Sequence, residues 1–220
     1  VAAFDFDGTL ARGDSLIPFL VSVRGRRRVG AALSALGPSI AWAMARGGDE
    51  ARERAKEALV GRLLRGVPAD EVAAQGEAFA AQLVEGRLRP LTAERVAWHR
   101  SEGHQLVIVS ASLTAYLEPV GATLGFDQVL ATSLEVGDDG RLTGRLAGGN
   151  VRGPEKAERL RAWLASASAS WDASASASSD AGSAECEVWA YGDSTGDHHL
   201  FALADHPFLV GRRSITVWRT

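Results

Sequence analysis

The sequence has a single cysteine, Cys186, which excludes a disulfide within the chain and suits a reducing cytosol. Net charge is small, −3 at neutral pH, and gives no general support for nucleic acid as a partner. No secretory leader is visible, because an apolar strand-like segment starts at residue 1. The chain opens on Val rather than Met, which leaves room for residues upstream. Only Val29 to Ala45 approaches the length of a membrane span, and it lies at the short limit. Its Ala and Ser content makes it weakly hydrophobic, and Gly37-Pro38 is expected to break it into two short helices packed on each other. The sharper alternative is a helical hairpin resting on a membrane surface, with the neighbouring Arg24-Gly25-Arg26-Arg27-Arg28 cluster on anionic headgroups; a solvated basic face is the plainer one. What the chain does have is 220 residues with 46% apolar content, enough for a real core in one α/β domain with an insertion, or in two small domains.

The chemistry concentrates where short apolar runs end. Val1 to Phe4 reads as a buried parallel strand that stops at Asp5-Phe6-Asp7-Gly8-Thr9. Strand periodicity puts Asp5 and Asp7 on one side and Phe6 on the other, and Asp7-Gly8 ends the strand in a turn. Two carboxylates at the carboxyl end of a parallel strand sit where open α/β sheets bind ligands. Gln105 to Val109 is a second buried strand running into Ser110-Ala111-Ser112, small residues that let a phosphate approach backbone amides. Arg152-Gly153-Pro154-Glu155-Lys156 opens a helix with Pro in its first turn, from which Lys156 can point back to the sheet. Glu187 to Tyr191 is another strand and ends at Gly192-Asp193-Ser194-Thr195-Gly196-Asp197. Asp193 and Asp197 can face the same point as Asp5, and three carboxylates around one point repel unless a hard cation joins them, so Mg²⁺ is implied. His198 and His199 are adjacent on a helix, do not face each other, and are expected to be solvated or to stand behind the site.

Between these motifs the organisation is coarse but legible. Residues 12–89 read as a helical insertion, and 1–11 plus 90–220 as the α/β core. Asp14 is placed to cap a helix over Ser15 to Val23. Asp49 to Leu64 and Ala69 to Leu88 are amphipathic helices. Gly137-Asp138-Asp139-Gly140 is a hairpin signal between Thr132–Val136 and Arg141–Leu146. The Ala/Ser-rich stretch 166–183 is expected to be a flexible surface insertion.

Asp5-Phe6-Asp7-Gly8-Thr9-Leu10 resembles the first motif of the haloacid dehalogenase superfamily in its phosphatase branch. Ser110, Lys156 in its Gly-x-x-Lys context, and Gly192-Asp193-x-x-x-Asp197 resemble the second, third and fourth motifs. Together they make nearly the whole chain similar to subfamily IB, the phosphoserine-phosphatase-like group. The resemblance implies a Rossmann-like, doubly wound parallel sheet with a helical cap inserted after the first strand. It also implies a Mg²⁺-dependent phosphomonoester hydrolase. Asp5 would be the nucleophile and Asp7 the general acid and base. Ser110, Lys156 and the amides near Phe6 and Ala111 would hold the phosphoryl group. Asp5, Asp7 (through its backbone carbonyl), Asp193 and Asp197 would make the metal site. A carboxylate at position 7 favours phosphatase over dehalogenase, since a halide leaves without a proton. Asp14 stands where phosphoserine phosphatases carry Glu, which points away from phosphoserine itself and towards another small phosphorylated metabolite. A lipid phosphate of the phosphatidylglycerophosphate type is the alternative, and a non-catalytic membrane- or partner-binding protein a third. The expected location is the cytoplasm, with a peripheral membrane contact through the cap under the lipid alternative.

Overall fold

The computed structural model describes residues 1–46, 49–175 and 186–219. Strands β1 (Ala2–Phe4), β2 (Leu106–Leu113), β3 (Gln128–Val136), β4 (Leu142–Ala147), β5 (Trp189–Gly192), β6 (His206–Val210) and β7 (Ile215–Val217) form one sheet in the order β4-β3-β2-β1-β5-β6-β7. The central run from β3 to β6 is parallel, and β4 and β7 close the two edges antiparallel. The sheet is therefore mixed rather than purely parallel. The Gly137–Gly140 turn and the Gly211–Ser214 turn each return the chain along its own edge. The order reverses at β1, so the crevice beyond the carboxyl ends of β2, β1 and β5 is the switch point at which doubly wound sheets bind ligands.

β1 is only three residues long, yet it lies in the middle of the sheet and is buried on both faces. Its alternation divides the core. Ala2, Phe4 and Phe6 join the larger apolar cluster with Leu106, Ile108, Tyr116 and Leu117. Val1 and Ala3 join the smaller one with Val107, Val109, Leu160, Leu200 and Phe201. The second face is covered by α7 (Pro154–Ala175) and α8 (His198–Leu203), the first by α5 (Pro90–Ser101) and α6 (Thr114–Leu124). The same parity carries Asp5 to the α7 side, where Lys156 waits on the first turn, and Phe6 into the opposite core.

Helices α1 (Leu16–Arg24), α2 (Arg26–Arg46), α3 (Asp49–Leu64) and α4 (Ala69–Gly86) follow β1. The chain leaves for them and returns at one place: Arg12 N–H bonds to the Arg87 carbonyl at 2.8 Å and Arg89 N–H to the Leu10 carbonyl at 2.9 Å. Asp14 accepts from the Ile17 N–H at 3.2 Å, at the start of α1. Where α4 crosses α6, a Cβ on Gly76 would overlap the Ala115 carbonyl, so the approach requires glycine.

Three expectations from the sequence need correction. Gly37-Pro38 does not break its helix: α2 is continuous from Arg26 to Arg46. Proline costs one N–H bond and crowds the carbonyl four residues back, a local penalty that the alanine-rich flanks outweigh on either side. The Ala/Ser stretch is helical as far as Ala175, where it continues α7, because alanine needs no packing partner to favour a helix; the rest of it lies outside the described residues. The hairpin arm expected over Thr132–Val136 is the second half of a longer strand, β3, which starts at Gln128. Among the described residues, no helix is long and apolar enough to cross a membrane.

Candidate active site

Beyond the carboxyl ends of β1, β2 and β5 lies a cavity of about 270 Å³ lined by Asp5, Asp7, Ser110, Lys156, Asp193 and Asp197, with Asp14, Glu53 and Lys56 at the side facing the inserted helices. Lys156 is buried and donates to Asp5 Oδ1 and Asp197 Oδ1, each at 2.6 Å. Burial opposes its charge, but the two carboxylates more than offset this, so its pKa lies above the ordinary lysine value. Burial pushes Asp5 up to about 7 against the pull of the Lys156 ammonium.

The loop after β5 is organised by Asp197. Its Oδ2 accepts from the N–H groups of Asp193 at 3.2 Å and Ser194 at 3.1 Å, and from the Ser194 hydroxyl at 3.0 Å. These bonds fold the loop back so that Asp193 faces Asp5. One carboxylate oxygen from each of Asp5, Asp193 and Asp197 lies within 4.8 Å of the others. Burial and the neighbouring Asp197 raise the pKa of Asp193. One ammonium against three converging carboxylates leaves negative charge that a divalent cation would balance, and an all-oxygen set suits a hard one. The backbone leaves little latitude here: Gly8 has φ +84°, and a Cβ on it would overlap the Asp193 carboxylate. Arg89 pins the same turn by donating to the carbonyls of Gly8 and Gly211.

The carboxylate of Asp7 is not one of these three, and the metal role expected of Asp7 runs through its backbone carbonyl. Its Oδ2 accepts from the Ser112 hydroxyl at 2.6 Å and the Ser15 hydroxyl at 2.9 Å, and Ser15 in turn meets the Tyr116 hydroxyl at 2.8 Å. Its Oδ1 is buried with no partner among the described residues. Burial raises the Asp7 pKa, and the two serine bonds work against that rise. Asp7 thus lines the cavity with one oxygen anchored and the other unpartnered.

The other expected residues fall around this centre. Ser110 is buried on β2, and its Oγ accepts from the Ser112 N–H at 3.2 Å. Phe6 has its ring in the core, so only its backbone is available to a ligand. Ala111 presents its carbonyl to the Thr132 hydroxyl at 2.9 Å and to Lys56. Asp14 lines the cavity beside Leu16. His198 and His199 are exposed and outside it.

Sequence reasoning missed Ser15, Ser112 and Tyr116 behind Asp7, and Lys56, Asn150 and Arg152 on the cavity wall. Lys56 donates to Asn150 Oδ1 at 2.6 Å, and burial lowers its pKa to about 8. One signal was available: Lys56 is the only lysine in the chain apart from Lys156, against 22 arginines. Nothing local marked Tyr116 as more than a core aromatic.

These features define a class: an α/β protein with a buried lysine and a cluster of aspartates at a switch point, able to hold a divalent metal. The sequence pattern of the haloacid dehalogenase-like hydrolases matches residues 2–202, and the chain belongs to that family. Within it, the aspartate cluster is that of a phosphatase-type enzyme. The chain is 33% identical over 205 residues to Protein CicA of Caulobacter vibrioides, covering 93% of this chain and 83% of that one. A Bordetella pertussis protein of unknown function has a similar structure, with TM-score 0.72 and 25% identity over 94% of this chain and 87% of that one. A substrate-bound phosphoserine phosphatase shares the fold at TM-score 0.61 and 20% identity, over 94% of this chain and 83% of that one.

Proposed function

We propose that the chain is a Mg²⁺-dependent phosphomonoester hydrolase that works through an aspartyl-phosphate on Asp5 and acts on a small phosphorylated metabolite. The observation that carries this is the pairing of two unlike carboxylates. Asp5 is held by Lys156, whereas Asp7 is hydrogen-bonded by Ser15 and Ser112 on one oxygen and unpartnered among the described residues on the other. Asp5 supplies a carboxylate oxygen to phosphorus as the bond to the leaving oxygen breaks. Asp7, with its raised pKa, carries the proton that the leaving oxygen takes up. It then accepts a proton from the water that attacks the aspartyl-phosphate, which releases inorganic phosphate and regenerates Asp5. Lys156 draws phosphoryl oxygens and the attacking carboxylate together against their repulsion. The Ser110 hydroxyl and the amides around Phe6 and Ala111 offer further donors. A divalent cation held by Asp5, Asp193 and the Asp7 backbone carbonyl, with Asp197 behind them, would supply charge neutralisation for the phosphoryl group.

The cavity is small and its walls are charged, which favours a metabolite over an extended chain. One observation favours the lipid alternative: a groove between α1 and α4 lined by Ile17, Pro18, Val21, Phe79, Arg26 and Arg87. A panel of phosphoserine, sugar phosphates, histidinol phosphate and phosphatidylglycerophosphate, assayed for phosphate release with and without Mg²⁺, separates the two. Mg²⁺-dependent turnover that is lost in Asp5→Asn supports the reaction, and the preferred ester chooses between substrates. A folded protein with no turnover on any of them would sink it.

A further inference from the structure

The cavity wall opposite Asp5 has a polar joint that the proposed reaction does not use. The Ala111 carbonyl and Asn150 Oδ1 both lie within reach of the Thr132 hydroxyl, at 2.9 and 3.0 Å. That hydroxyl has one proton, and its oxygen already accepts from the Val151 N–H at 3.0 Å. It therefore satisfies one of the two acceptors and leaves the other needing a donor. Asn150 and Thr132 are both buried, so water does not readily supply one. Lys56, with three protons on one nitrogen, reaches both acceptors. Its backbone lies on α3, in the inserted helices, while the acceptors belong to the carboxyl end of β2 and to the segment between β4 and α7.

We infer that Lys56 is a positioning residue for the phosphoryl pocket: the ammonium that α3 delivers ties the Ala111 peptide to Asn150, and so fixes the backbone between Ser110 and Leu113 against which a phosphoryl group would lie. The inference rests on the phosphatase reading for its catalytic consequence, but not for its structural one. β2 is irregular at this point, because its pairing with β3 jumps from Ser110 to Leu113, so the sheet alone does not hold residues 111 and 112. Ser110 and Ser112, on either side of that peptide, carry the Asp7 and cavity contacts. A single side chain thus couples the inserted helices to the segment that serves both the acid and the phosphoryl group.

The test uses the full chain with Lys56→Met, which keeps the apolar stem, and Lys56→Arg, which keeps a charged donor. Lys56→Gln, which keeps two N–H donors, serves if the Met variant does not fold. Amide hydrogen exchange of peptides covering 109–114 and 53–64 is read beside steady-state kinetics on p-nitrophenyl phosphate with Mg²⁺. In Lys56→Met, exchange at 111–113 is expected to speed up by roughly tenfold or more. The expected fall in kcat is about ten- to a hundredfold, with KM changed less than about threefold. Lys56→Arg is expected to restore most of both. Unchanged exchange at 111–113 would overturn the inference, as would a rise in KM alone, which would make Lys56 a substrate contact, or a lowered Tm with kcat intact. If the wild type turns over no ester, the phosphatase reading fails separately, and the exchange data still decide whether Lys56 holds this segment.

Discussion

Lys156 is the most exacting place to perturb the site. Its ammonium is buried and bonded at 2.6 Å to both Asp5 and Asp197, so Lys156→Met leaves two buried carboxylates facing each other without a counter-charge. Breaking a buried ion pair by removing one partner costs about 3–5 kcal/mol when the remaining charge stays buried. The carboxylates can limit that cost by taking up protons, which makes the loss depend on pH. Asp5 already stands at about 7 with Lys156 present, pushed up by burial and held down by the ammonium, so in the variant it moves higher still. Its folded pKa then lies above the unfolded value of 3.8. Between the two, the native state binds more protons than the unfolded chain, and stability falls as pH rises. In the wild type that fall ends near the folded value of about 7, whereas in the variant it continues upwards. The destabilisation by Lys156→Met is therefore expected to grow between pH 6 and pH 8, by up to about 1.4 kcal/mol when Asp5 moves up by a unit or more. Urea unfolding of both proteins at the two pH values measures it. A penalty below about 1 kcal/mol, or one equal at both values, would refute the buried-pair account. In turnover, losing this charge is expected to cost about 10²- to 10³-fold in kcat.

The remaining perturbations probe other parts of the site and the far end of the sheet. Asp7→Asn keeps the shape but loses the proton, so kcat on an alkyl phosphate should fall by roughly 10²–10⁴. An aryl phosphate, whose leaving group needs no proton, should still phosphorylate Asp5 and show a burst in rapid-quench kinetics; equal loss of the burst with both substrates would argue against an acid role. Gly8→Ala must either leave φ +84° or displace Asp193. Its apparent affinity for Mg²⁺, followed by the metal-dependent shift in Tm, should weaken by about tenfold or more, as when the support of a metal ligand is disturbed, and an unchanged shift would exclude Asp193 from the metal site. His99 is buried, with Nδ1 2.8 Å from His104 Nδ1 and Nε2 3.0 Å from the Tyr191 hydroxyl. Burial lowers its pKa to about 4. The unfolded chain therefore binds the extra proton first, and stability is lost as pH falls from about 6.5 towards 4, by up to about 3 kcal/mol. His99→Phe should flatten that part of the profile in urea titrations, and an unchanged slope would place the acid sensitivity elsewhere.

The parts of the site that follow from a strand ending were legible in the sequence. Asp5, Ser110 and Asp193 each stand at or just past the carboxyl end of a buried apolar run, and parallel strands place such ends together. Lys156 and Asp197 were legible through their spacing from Pro154 and Asp193. The supports were not, because they come from distant segments: Ser15, Ser112 and Tyr116 meet at Asp7 only through the packing of α1 against α6. Lys56 is likewise brought to Asn150 across 94 residues by the way α3 lies over the β3–β4 hairpin, where Gly61 and Gly144 touch. The helix breakers misled for the opposite reason. Gly37-Pro38 and the Ala/Ser stretch were read by local composition, and in α2 and α7 the flanking alanines outweighed the local interruption. The short strand β7 escaped notice because its burial is slight and its partner β6 supplies the pairing.

The most direct measurement is to trap the intermediate. The enzyme is mixed with a turning-over phosphomonoester and Mg²⁺, quenched in acid, reduced with borohydride and mapped by peptide mass. The account predicts an acyl phosphate at Asp5, read as reduction of that carboxyl to an alcohol, in the wild type and not in Asp5→Asn. Turnover without modification of Asp5, or with modification at Asp7, Asp193 or Asp197 instead, would contradict it.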